Sequence, residues 1–469
     1  MMSRMNDTSS NLPTSRREFI KTTGRIAAVS ALAGVTLPHV HAAPGGTLQV
    51  ALIGCGGRGT GAAANALDTQ HGPVKLVAMA DVFEQKLSSS YDTLTRSHAA
   101  KLDVPPDRRF IGFDAYQKAM DCLKPGDIAI FTTPLTFRWV HLTYAIQKGL
   151  NVFMEKPLTA DGPTSRRMLK LAEEATAKNL KCGVGLMSRH SRALQELQQR
   201  IQGGEIGDVI LLRGYRMHGP AGWAFSTKWP GGNPSELLWQ IQRFHSFIWA
   251  SGGCFSDFYI HHIDHLCWMK NAWPIKAQAL GGRHYRHDPD GKLYIDQNFD
   301  SYSVEYTFAD GAKMYMDGRC MNGCNPIYSS YAHGSKGIAI VSKSSDCGFP
   351  SSTFKGQNLQ RSNMLWTSKA IPGQQDPYEN EWNDLMDAIR NDKPYNEVKR
   401  GVEASLVTSM GRMAAHTGQE ILYEDMLNAE PEYAPGADKF TLNSPAPLVA
   451  DKDGKYPIPM PGITKTTEY

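Results

Sequence analysis

The order of apolar and polar stretches in the first half of the chain predicts strands that alternate with helices. Short apolar runs, each ended by glycine, proline or polar residues, are separated by stretches with helical periodicity. Five runs have the composition of buried strands, at residues 47–53, 74–81, 127–131, 151–154 and 182–186. Such alternation is typical of a parallel, doubly wound sheet with helices on both faces. We therefore predict an α/β domain at residues 47–188.

The pattern changes after about residue 190. Strand-like segments now follow one another, at residues 209–215, 275–281, 301–308 and 313–317. Three helices accompany them, near residues 256–270, 378–391 and 399–416. This order predicts an α+β domain at residues 189–428 with a large, mostly antiparallel open sheet. Residues 429–469 are rich in proline and lack periodicity, so we expect an extended arm over the surface.

The first 42 residues form a segment of their own. Arg16 and Arg17 precede a mildly apolar stretch at residues 26–37, and small residues near Ala42 suit cleavage. This pattern resembles a twin-arginine export signal, which predicts a periplasmic or otherwise exported protein and transport by the twin-arginine translocase. The alternative is a disordered basic tail. No run reaches the roughly 18 apolar residues of a stable membrane span.

Composition and charge narrow the class of protein. The 469 residues are 41% hydrophobic and 20% charged, which is typical of a soluble globular enzyme. The first 42 residues carry a net charge of +3 out of +4, so about +1 remains for the rest of the chain. This balance gives no support to nucleic-acid binding. The eight cysteines lack metal-ligand spacing, so we expect mostly buried, unpaired thiols and no metal site.

A glycine-rich turn follows the first strand and opens a helix. Its pattern is Gly54-x-Gly56-x-x-Gly59, and Asp81 ends the next strand 22 residues later. In this context the glycines permit a tight turn, close approach of a pyrophosphate and helix–strand packing. Asp81 would accept a hydrogen bond from a ribose 2′-hydroxyl and repel a 2′-phosphate, which favours NAD, whereas Arg58 could reach a 2′-phosphate and keeps NADP as the less favoured alternative. The other alternative is a glycine turn without a ligand. The predicted cofactor contacts here are Gly54, Gly56, Gly57, Arg58, Gly59 and Asp81.

Further motifs occur in a fixed order along the chain. Thr132-Thr133-Pro134 follows the third strand, Glu155-Lys156-Pro157 follows the fourth, and an Asp-x-x-x-His pattern lies in a later helix. Together with the glycine turn, they resemble the glucose-fructose oxidoreductase/inositol dehydrogenase (Gfo/Idh/MocA) family over roughly residues 47–420. The resemblance implies a Rossmann domain, an NAD(P)-dependent oxidoreductase acting on CH–OH groups, a cis Lys156–Pro157 bond and subunits that pair through the second sheet. It also implies cofactor contacts from Thr132, Thr133, Pro134, Glu155 and Lys156.

Lys156, Asp257 and His261 are the predicted catalytic residues. A lysine at the carboxyl end of a parallel strand points into the ligand crevice, where it can polarise a hydroxyl or carbonyl oxygen. Asp257 and His261 are four residues apart on one helical face, after Ser256 as a predicted N-cap. The resemblance implies that His261 removes the hydroxyl proton and that Asp257 orients its imidazole. The alternatives are an exposed lysine, a core histidine, or a metal site that adds His265.

The substrate side is less well defined. Weaker candidates are Arg189, His190, Tyr215 and His218, together with Tyr259, which stands where relatives usually have a small residue. Relatives commonly carry histidine in the stretch after Pro134, which here is Leu-Thr-Phe-Arg. Four tryptophans within residues 223–249 either stack on a sugar ring or pack in the interior.

Export constrains the cofactor. A folded, exported protein finds no nicotinamide pool to exchange with, so we expect tightly bound NAD that is restored within each cycle or by a second substrate. The first hypothesis is a sugar, polyol or glycoside oxidoreductase. The alternatives are a glycoside hydrolase that uses transient oxidation and elimination, and a non-catalytic sugar-binding protein.

Overall fold

Two sheets organise the part of the chain that the structure describes, residues 46–469 of a computed structural model. The first sheet has six strands and the second has nine. The predicted leader, residues 1–42, lies outside the described residues.

The six-stranded sheet is parallel throughout, with the order β3-β2-β1-β4-β5-β6. This confirms the predicted doubly wound domain. The strand order reverses between β1 and β4, and ligands of open α/β sheets bind in the crevice at such a point. The elements are β1 Leu48–Ile53, α1 Gly57–Leu67, β2 Val74–Asp81, α2 Glu84–His98, β3 Arg109–Ile111, α3 Ala115–Asp121, β4 Ile128–Phe131, α4 Arg138–Lys148, β5 Asn151–Met154, α5 Gly162–Ala177 and β6 Cys182–Val184.

The nine-stranded sheet has the order β14-β13-β12-β11-β7-β10-β9-β8-β15. All its pairs are antiparallel except β7 with β10, which confirms the predicted mostly antiparallel sheet. The elements are α6 Arg192–Gln202, β7 Val209–His218, α7 Glu236–Gln242, α8 Ile248–Ser251, α9 Gly253–Lys270, β8 Lys276–Gly282, β9 Ser301–Thr307, β10 Lys313–Cys320, β11 Ile327–Gly334, β12 Gly337–Ser342, β13 Ser352–Lys355, β14 Met364–Thr367, α10 Pro377–Arg390, α11 Val398–Thr417, β15 Ile421–Leu422 and α12 Tyr423–Asn428.

Helix α10 covers the first sheet. Its position in the chain had placed it in the predicted second domain, at residues 189–428. Trp382 of this helix packs against Phe153 of β5 with 4.5 Å between ring centroids, and Leu385 lies in the same core. The Cys182 amide of β6 donates to the carbonyl of Tyr395, just after the helix. The chain therefore returns to the Rossmann domain after building most of the second sheet.

Residues 429–469 are irregular, with turns and one short 3-10 helix at Ala437–Lys439, and they do not stay on the surface as predicted. Leu448 and Tyr456 pack into a core with Trp239 and Phe247. Glu468 is fully buried, and its carboxylate lies 2.8 Å from the guanidinium of Arg412 in α11. The arm is held by apolar contacts along its length and by an ion pair at its end.

Two further findings concern the described residues only. All eight cysteines, which lie within this range, are free thiols, and five of them are buried. Among the helices of residues 46–469, none combines the length and the apolar character that crossing a membrane would require.

Candidate active site

A cavity of about 520 Å³ lies between the carboxyl edge of the parallel sheet and the first half of helix α9. The loops after β1, β2, β4 and β5 form one side of it, and α9, β7 and the segment before α9 form the other. All the predicted catalytic residues and all the predicted cofactor contacts line this single space. The sequence motifs, far apart in the chain, therefore converge on one site.

The glycine turn forms a cradle that a side chain would fill. A Cβ added to Gly59 would lie 2.0 Å from the Gly54 carbonyl oxygen, and Gly54 itself has a φ of +97°. Gly56 and Gly57 have open space instead, with nothing within 4 Å of an added Cβ. The N-terminus of α1 has no side-chain cap, so its backbone amides are available to an anion. This cradle fits the pyrophosphate of a dinucleotide.

Asp81 lies at one end of the cavity. Its two carboxylate oxygens accept hydrogen bonds from the backbone amides of Cys55 at 2.6 Å and Phe83 at 2.9 Å, and burial raises the pKa of this carboxyl. Each oxygen keeps a lone pair, so the carboxylate can still accept from a ribose hydroxyl. Lys86, which sequence analysis did not single out, lines the same end of the cavity.

Arg58 lines the cavity but is held away from Asp81. Its Nε lies 2.6 Å from Glu155 Oε1, its Nη2 lies 3.8 Å from Glu381 Oε1, and its guanidinium stacks over the ring of Tyr378 at 4.6 Å. The cation is therefore neutralised next to the Glu155-Lys156 motif. This arrangement does not offer Arg58 to a 2′-phosphate, and it strengthens the preference for NAD.

The loop after β4 is tied to both neighbouring motifs. Thr132 Oγ1 donates to the Gly54 carbonyl at 2.5 Å, while Thr133 Oγ1 accepts from Arg138 Nη1 at 3.1 Å. Arg138 also donates through Nε to the backbone carbonyl of Glu155 at 2.8 Å. Burial lowers the pKa of Arg138 to about 10, so it stays a cation at neutral pH. The departure from histidine after Pro134 thus supplies a buried arginine that links two loops.

Lys156 and Asp257 form the centre of the site. Lys156 Nζ donates to the backbone carbonyl of Asp257 at 2.6 Å and lies 3.6 Å from its carboxylate. The Lys156–Pro157 peptide bond is cis, as the resemblance implied. The lysine side chain is only 16% exposed, which does not match the alternative of a solvent-exposed lysine.

The partner of the Asp257 carboxylate differs from the prediction. Its Oδ2 lies 3.2 Å from Nε2 of His245, a residue that sequence analysis missed. Burial alone would raise the pKa of Asp257, but Lys156, His245 and His261 hold it well below its usual range. The carboxylate therefore orients Lys156 and His245 rather than the imidazole of His261.

His261 lines the cavity as a neutral imidazole. Burial lowers its pKa to about 4, and the carboxylate that opposes this shift most is Asp346. Nδ1 of His261 has no hydrogen-bond partner in the described part of the chain. The prediction that Asp257 orients the imidazole of His261 is not matched by these contacts, because the Asp257 carboxylate lies against Lys156 and His245.

Asp346 reaches the site from the loop between β12 and β13. Its Oδ1 accepts from Arg216 Nη1 at 3.1 Å and lies 3.4 Å from Nδ1 of His262. Burial would raise its pKa, but His261, His262 and Arg216 hold it well below the usual range. The surrounding sequence, serine-rich and without a motif, offers no signal for this role.

Helix α9 begins three residues before the predicted cap. Gly252 caps it in the left-handed region, and Ser256 lies in its first turn. The Ser256 hydroxyl accepts instead from Arg412 Nη1 at 2.9 Å. Ser256 is thus a buried anchor for the helix and not its N-cap.

The weaker substrate candidates lie outside the cavity lining. Arg189 is paired with Asp264 at 2.8 Å. His190 lies 2.7 Å from Asp384; burial would lower its pKa, but the neighbouring carboxylates raise it to about 9. His218, at the end of β7, donates from Nδ1 to the carbonyl of Gly219.

Side-chain alternation explains the position of Tyr215. It lies on the face of β7 opposite to Arg216, and Arg216 lines the cavity. Tyr259 is fully buried: its hydroxyl lies 3.7 Å from Cys320 Sγ, and Gly318 makes room for its ring. Tyr259 therefore fills the core and does not line the cavity.

The tryptophan-rich segment contributes other side chains to the cavity. Its lining residues are Ile241, Phe244, His245, Ala250 and Ser251. Trp239 and Trp249 are buried in the core, and Trp229 donates from Nε1 to the carbonyl of Pro234 at 3.1 Å. Trp223 is 43% exposed and stacks with Arg243 at 3.8 Å. The structure thus places none of the four indoles in the lining of this cavity.

The metal alternative is not supported by the geometry. His265 is turned away from the cavity, with Nε2 2.8 Å from the hydroxyl of Ser330. Within residues 46–469, no group of three or more histidine, cysteine, aspartate or glutamate side chains is arranged to hold a metal ion.

The first domain is similar in sequence to a known protein family. Residues 48–186 match the Gfo/Idh/MocA oxidoreductase family with an NAD-binding Rossmann fold.

Curated relatives match over part of the chain. The chain is 31% identical over 152 residues to scyllo-inositol 2-dehydrogenase (NAD(+)) from Bacillus subtilis, which covers 32% of this chain and 36% of the relative. It is 27% identical over 133 residues to inositol 2-dehydrogenase from Corynebacterium glutamicum, which covers 28% of this chain and 37% of the relative. The matches thus span little more than a third of the length of these relatives.

Solved structures share the fold of both domains. An aldose-aldose oxidoreductase from Caulobacter crescentus aligns with a TM-score of 0.58 and 16% identity, over 80% of this chain and 99% of that protein. A myo-inositol 2-dehydrogenase from Lactobacillus plantarum aligns with a TM-score of 0.57 and 19% identity, over 80% of this chain and 99% of that protein. At these identities the likeness concerns the fold alone.

Proposed function

We propose that this protein is an exported oxidoreductase that transfers a hydride between a tightly bound NAD and a hydroxyl-bearing or keto carbon of a sugar, polyol or glycoside. The observation that carries the proposal is the meeting of Lys156, Asp257 and His261 in one cavity with the glycine cradle. The inositol dehydrogenases among the relatives of the Rossmann domain support a polyhydroxylated substrate.

One end of the cavity carries the residues proposed to bind the cofactor, and the other carries the proposed catalytic residues. The glycine cradle and the N-terminus of α1 would hold the pyrophosphate, and Asp81 would accept a hydrogen bond from the adenosine ribose. NAD, when bound, supplies the acceptor or donor of the hydride. The pyrophosphate and the adenosine ribose of NAD thus each have a chemically complementary group in the cavity.

Proton movement belongs to Lys156 and His261. One Lys156 Nζ proton is committed to the Asp257 carbonyl, and another can be donated to the substrate oxygen. During oxidation the hydroxyl proton passes to the unprotonated ring nitrogen of His261. The carbon that bears this hydroxyl gives up its hydride to the acceptor that bound NAD would supply. In the reverse direction the imidazolium returns the proton to the carbonyl oxygen. Asp257, anionic under these conditions, holds Lys156 in place.

Export underlies the proposal of a tightly held cofactor. The leader's arginine pair supports twin-arginine transport, in which a folded protein would carry its cofactor out of the cytoplasm. The test is to express the chain with its leader, fractionate the cells, denature the purified exported protein and identify the released nucleotide. We expect close to one NAD(H) per subunit. Correctly folded protein that releases no dinucleotide would contradict the trapped cofactor.

Product analysis tests the reaction itself. Purified protein is incubated with polyols, aldose pairs and glycosides, and the products are identified by mass spectrometry. A keto product with a reduced partner supports the proposed oxidoreductase, whereas free sugar without net oxidation indicates transient oxidation and elimination by the same residues. We expect Lys156→Ala to lower kcat, measured per molecule of bound nucleotide, by about a hundredfold or more. Lys399→Ala, at a side chain 74% exposed, is the matched control.

A further inference from the structure

Both ring nitrogens of His245 are engaged, which determines where its proton lies. The backbone amide of Trp223 donates to Nδ1 at 3.3 Å, and Nε2 lies 3.2 Å from Asp257 Oδ2. A backbone N–H can only donate, so Nδ1 must be unprotonated. The single proton of the neutral ring is then on Nε2 and points at the Asp257 carboxylate.

The approach of Trp223 to His245 is built into the backbone. Gly222 has a φ of +53°, and a Cβ added there would lie 2.7 Å from His245 Cε1. On its other side the imidazole stacks on Phe258, with 5.2 Å between ring centroids and 29° between planes. The Ser246 hydroxyl donates to the Trp223 carbonyl at 2.5 Å, which fastens the same turn a second time. The ring is therefore fixed in both position and rotation.

We propose that His245 is a positioning residue for the reaction: its Nε2–H tautomer, selected by the Trp223 amide, holds Asp257 in the orientation that presents Lys156 to the substrate oxygen. Asp257 is gripped from two sides, by His245 at Oδ2 and by Lys156 at Oδ1. Loss of the His245 donor would free the carboxylate to rotate and Lys156 to follow it. This inference rests on the proposed function and adds to it a link between the tryptophan-rich segment and the catalytic lysine.

Two amide substitutions separate the two hydrogen bonds. In His245→Gln the side-chain amide nitrogen reaches as far as Nε2 and can donate to Asp257. In His245→Asn the amide oxygen can accept from the Trp223 amide, but the side chain is too short to reach Asp257. We expect His245→Asn to lower kcat by on the order of tenfold to a hundredfold, because a hydrogen bond to a charged group is lost, with a smaller change in KM. We expect His245→Gln to restore kcat to within about threefold of the wild type.

Equal loss of kcat in the two variants would overturn the proposal, as would a change confined to KM. Thermal unfolding of both variants shows whether either has lost its fold, and nucleotide content shows whether the cofactor end is intact.

The tautomer provides a test that needs no substrate and no substitution to be tolerated. The holoenzyme is labelled with ¹⁵N-histidine, and long-range proton–nitrogen NMR spectra identify the protonated ring nitrogen of each histidine. We expect His245 to be neutral with its proton on Nε2. A proton on Nδ1, or a doubly protonated ring at neutral pH, would overturn the inference even if the enzyme is active. If no polyhydroxylated substrate is turned over, the proposed function fails, while the NMR result still decides the position of the proton.

Discussion

At the residue scale, the protonation of His261 is the property with the clearest pH consequence. Its pKa is lowered by burial to about 4, below the value of about 6.5 for an unfolded histidine. Between these two values the unfolded chain binds a proton that the folded protein does not, so this residue reduces stability as the pH falls from about 6.5 to 4. Above that window the ring is neutral and can accept a proton from a hydroxyl.

We expect His261→Gln to remove this contribution. The unfolding free energy of the wild type should fall by on the order of 3 kcal/mol more than that of the variant between pH 7 and pH 4, measured by urea titration at each pH. Parallel loss of stability in the two proteins would show that the imidazole titrates normally. His261→Gln should also abolish turnover at neutral pH. A histidine with only a structural role in the core would not have this effect on turnover.

The site residues that lie in sequence motifs could be predicted. The site residues that reach the cavity only through tertiary contacts could not. Gly54, Lys156 and His261 stand at fixed offsets from strand ends or along one helix, and this spacing, together with the resemblance to a known family, singled them out. Asp346 and His245 reach the cavity from irregular segments whose sequence has no period or motif. Their roles depend on how the second sheet and the tryptophan-rich segment fold back on α9.

At the element scale, the turn between β1 and α1 has no room for a methyl group at Gly59. In Gly59→Ala the new Cβ would meet the Gly54 carbonyl oxygen at 2.0 Å and Thr132 Oγ1 at 2.5 Å, so backbone must move. We expect a loss of stability of about 1–3 kcal/mol or more, together with loss of nucleotide. Chemical denaturation and nucleotide analysis measure the two effects.

Gly57→Ala is the matched control within the same turn. Its Cβ would meet nothing within 4 Å, and alanine is favoured over glycine in a helix by about 0.5–1 kcal/mol. We therefore expect unchanged or higher stability but weaker nucleotide binding, because the methyl group projects into the space proposed for the pyrophosphate. Normal nucleotide content in Gly57→Ala would place the pyrophosphate elsewhere.

Elements were predictable where burial follows hydrophobicity. The strands of the first sheet are apolar on both faces and were all located except the three-residue β3. In β11 the buried positions include Ser330 and Ala332, so the inward face lacks the apolar alternation that marks a strand. The sequence therefore indicated that the second sheet is mostly antiparallel. It did not indicate the strands β11 to β14 at one edge of this sheet, within residues 327–367.

At the scale of the whole molecule, the C-terminal arm ties the two domains together at a buried ion pair. Glu468 and Arg412 are both fully buried, and Arg412 also donates to the carbonyls of Gly252 and Ala160, next to α9 and the Lys156 loop. We expect Glu468→Ala to lower the unfolding free energy by about 3–5 kcal/mol, because a buried guanidinium is left without its partner. Glu420→Ala, which breaks the exposed pair with Lys276, should cost at most about 1 kcal/mol. Equal effects in urea titrations would show that the arm does not fasten the fold.

The outer face of the nine-stranded sheet has side chains that suit subunit association. One face of this sheet is covered by α9 and α11, and the other presents Leu280, which is 79% exposed. Tyr315 and Tyr331 lie on the same outer face, one on each side of Arg213. Open sheets usually have both faces covered, so pairing of two subunits through this face would remove the exposed apolar side chains from water.

We expect sedimentation to detect an oligomer at micromolar concentration. Leu280→Glu should shift the protein towards the monomer, because pairing would bury a carboxylate at the contact. Ile463→Glu, at a residue of the arm that is 76% exposed, introduces the same charge away from the sheet and should leave the oligomer intact. A wild-type monomer at this concentration would contradict the expected association, whereas an oligomer that survives Leu280→Glu would place the interface on another surface. Because α9 packs on the inner face of this sheet, dissociation should leave nucleotide content unchanged, and loss of nucleotide in the monomer would show that pairing also supports the active site.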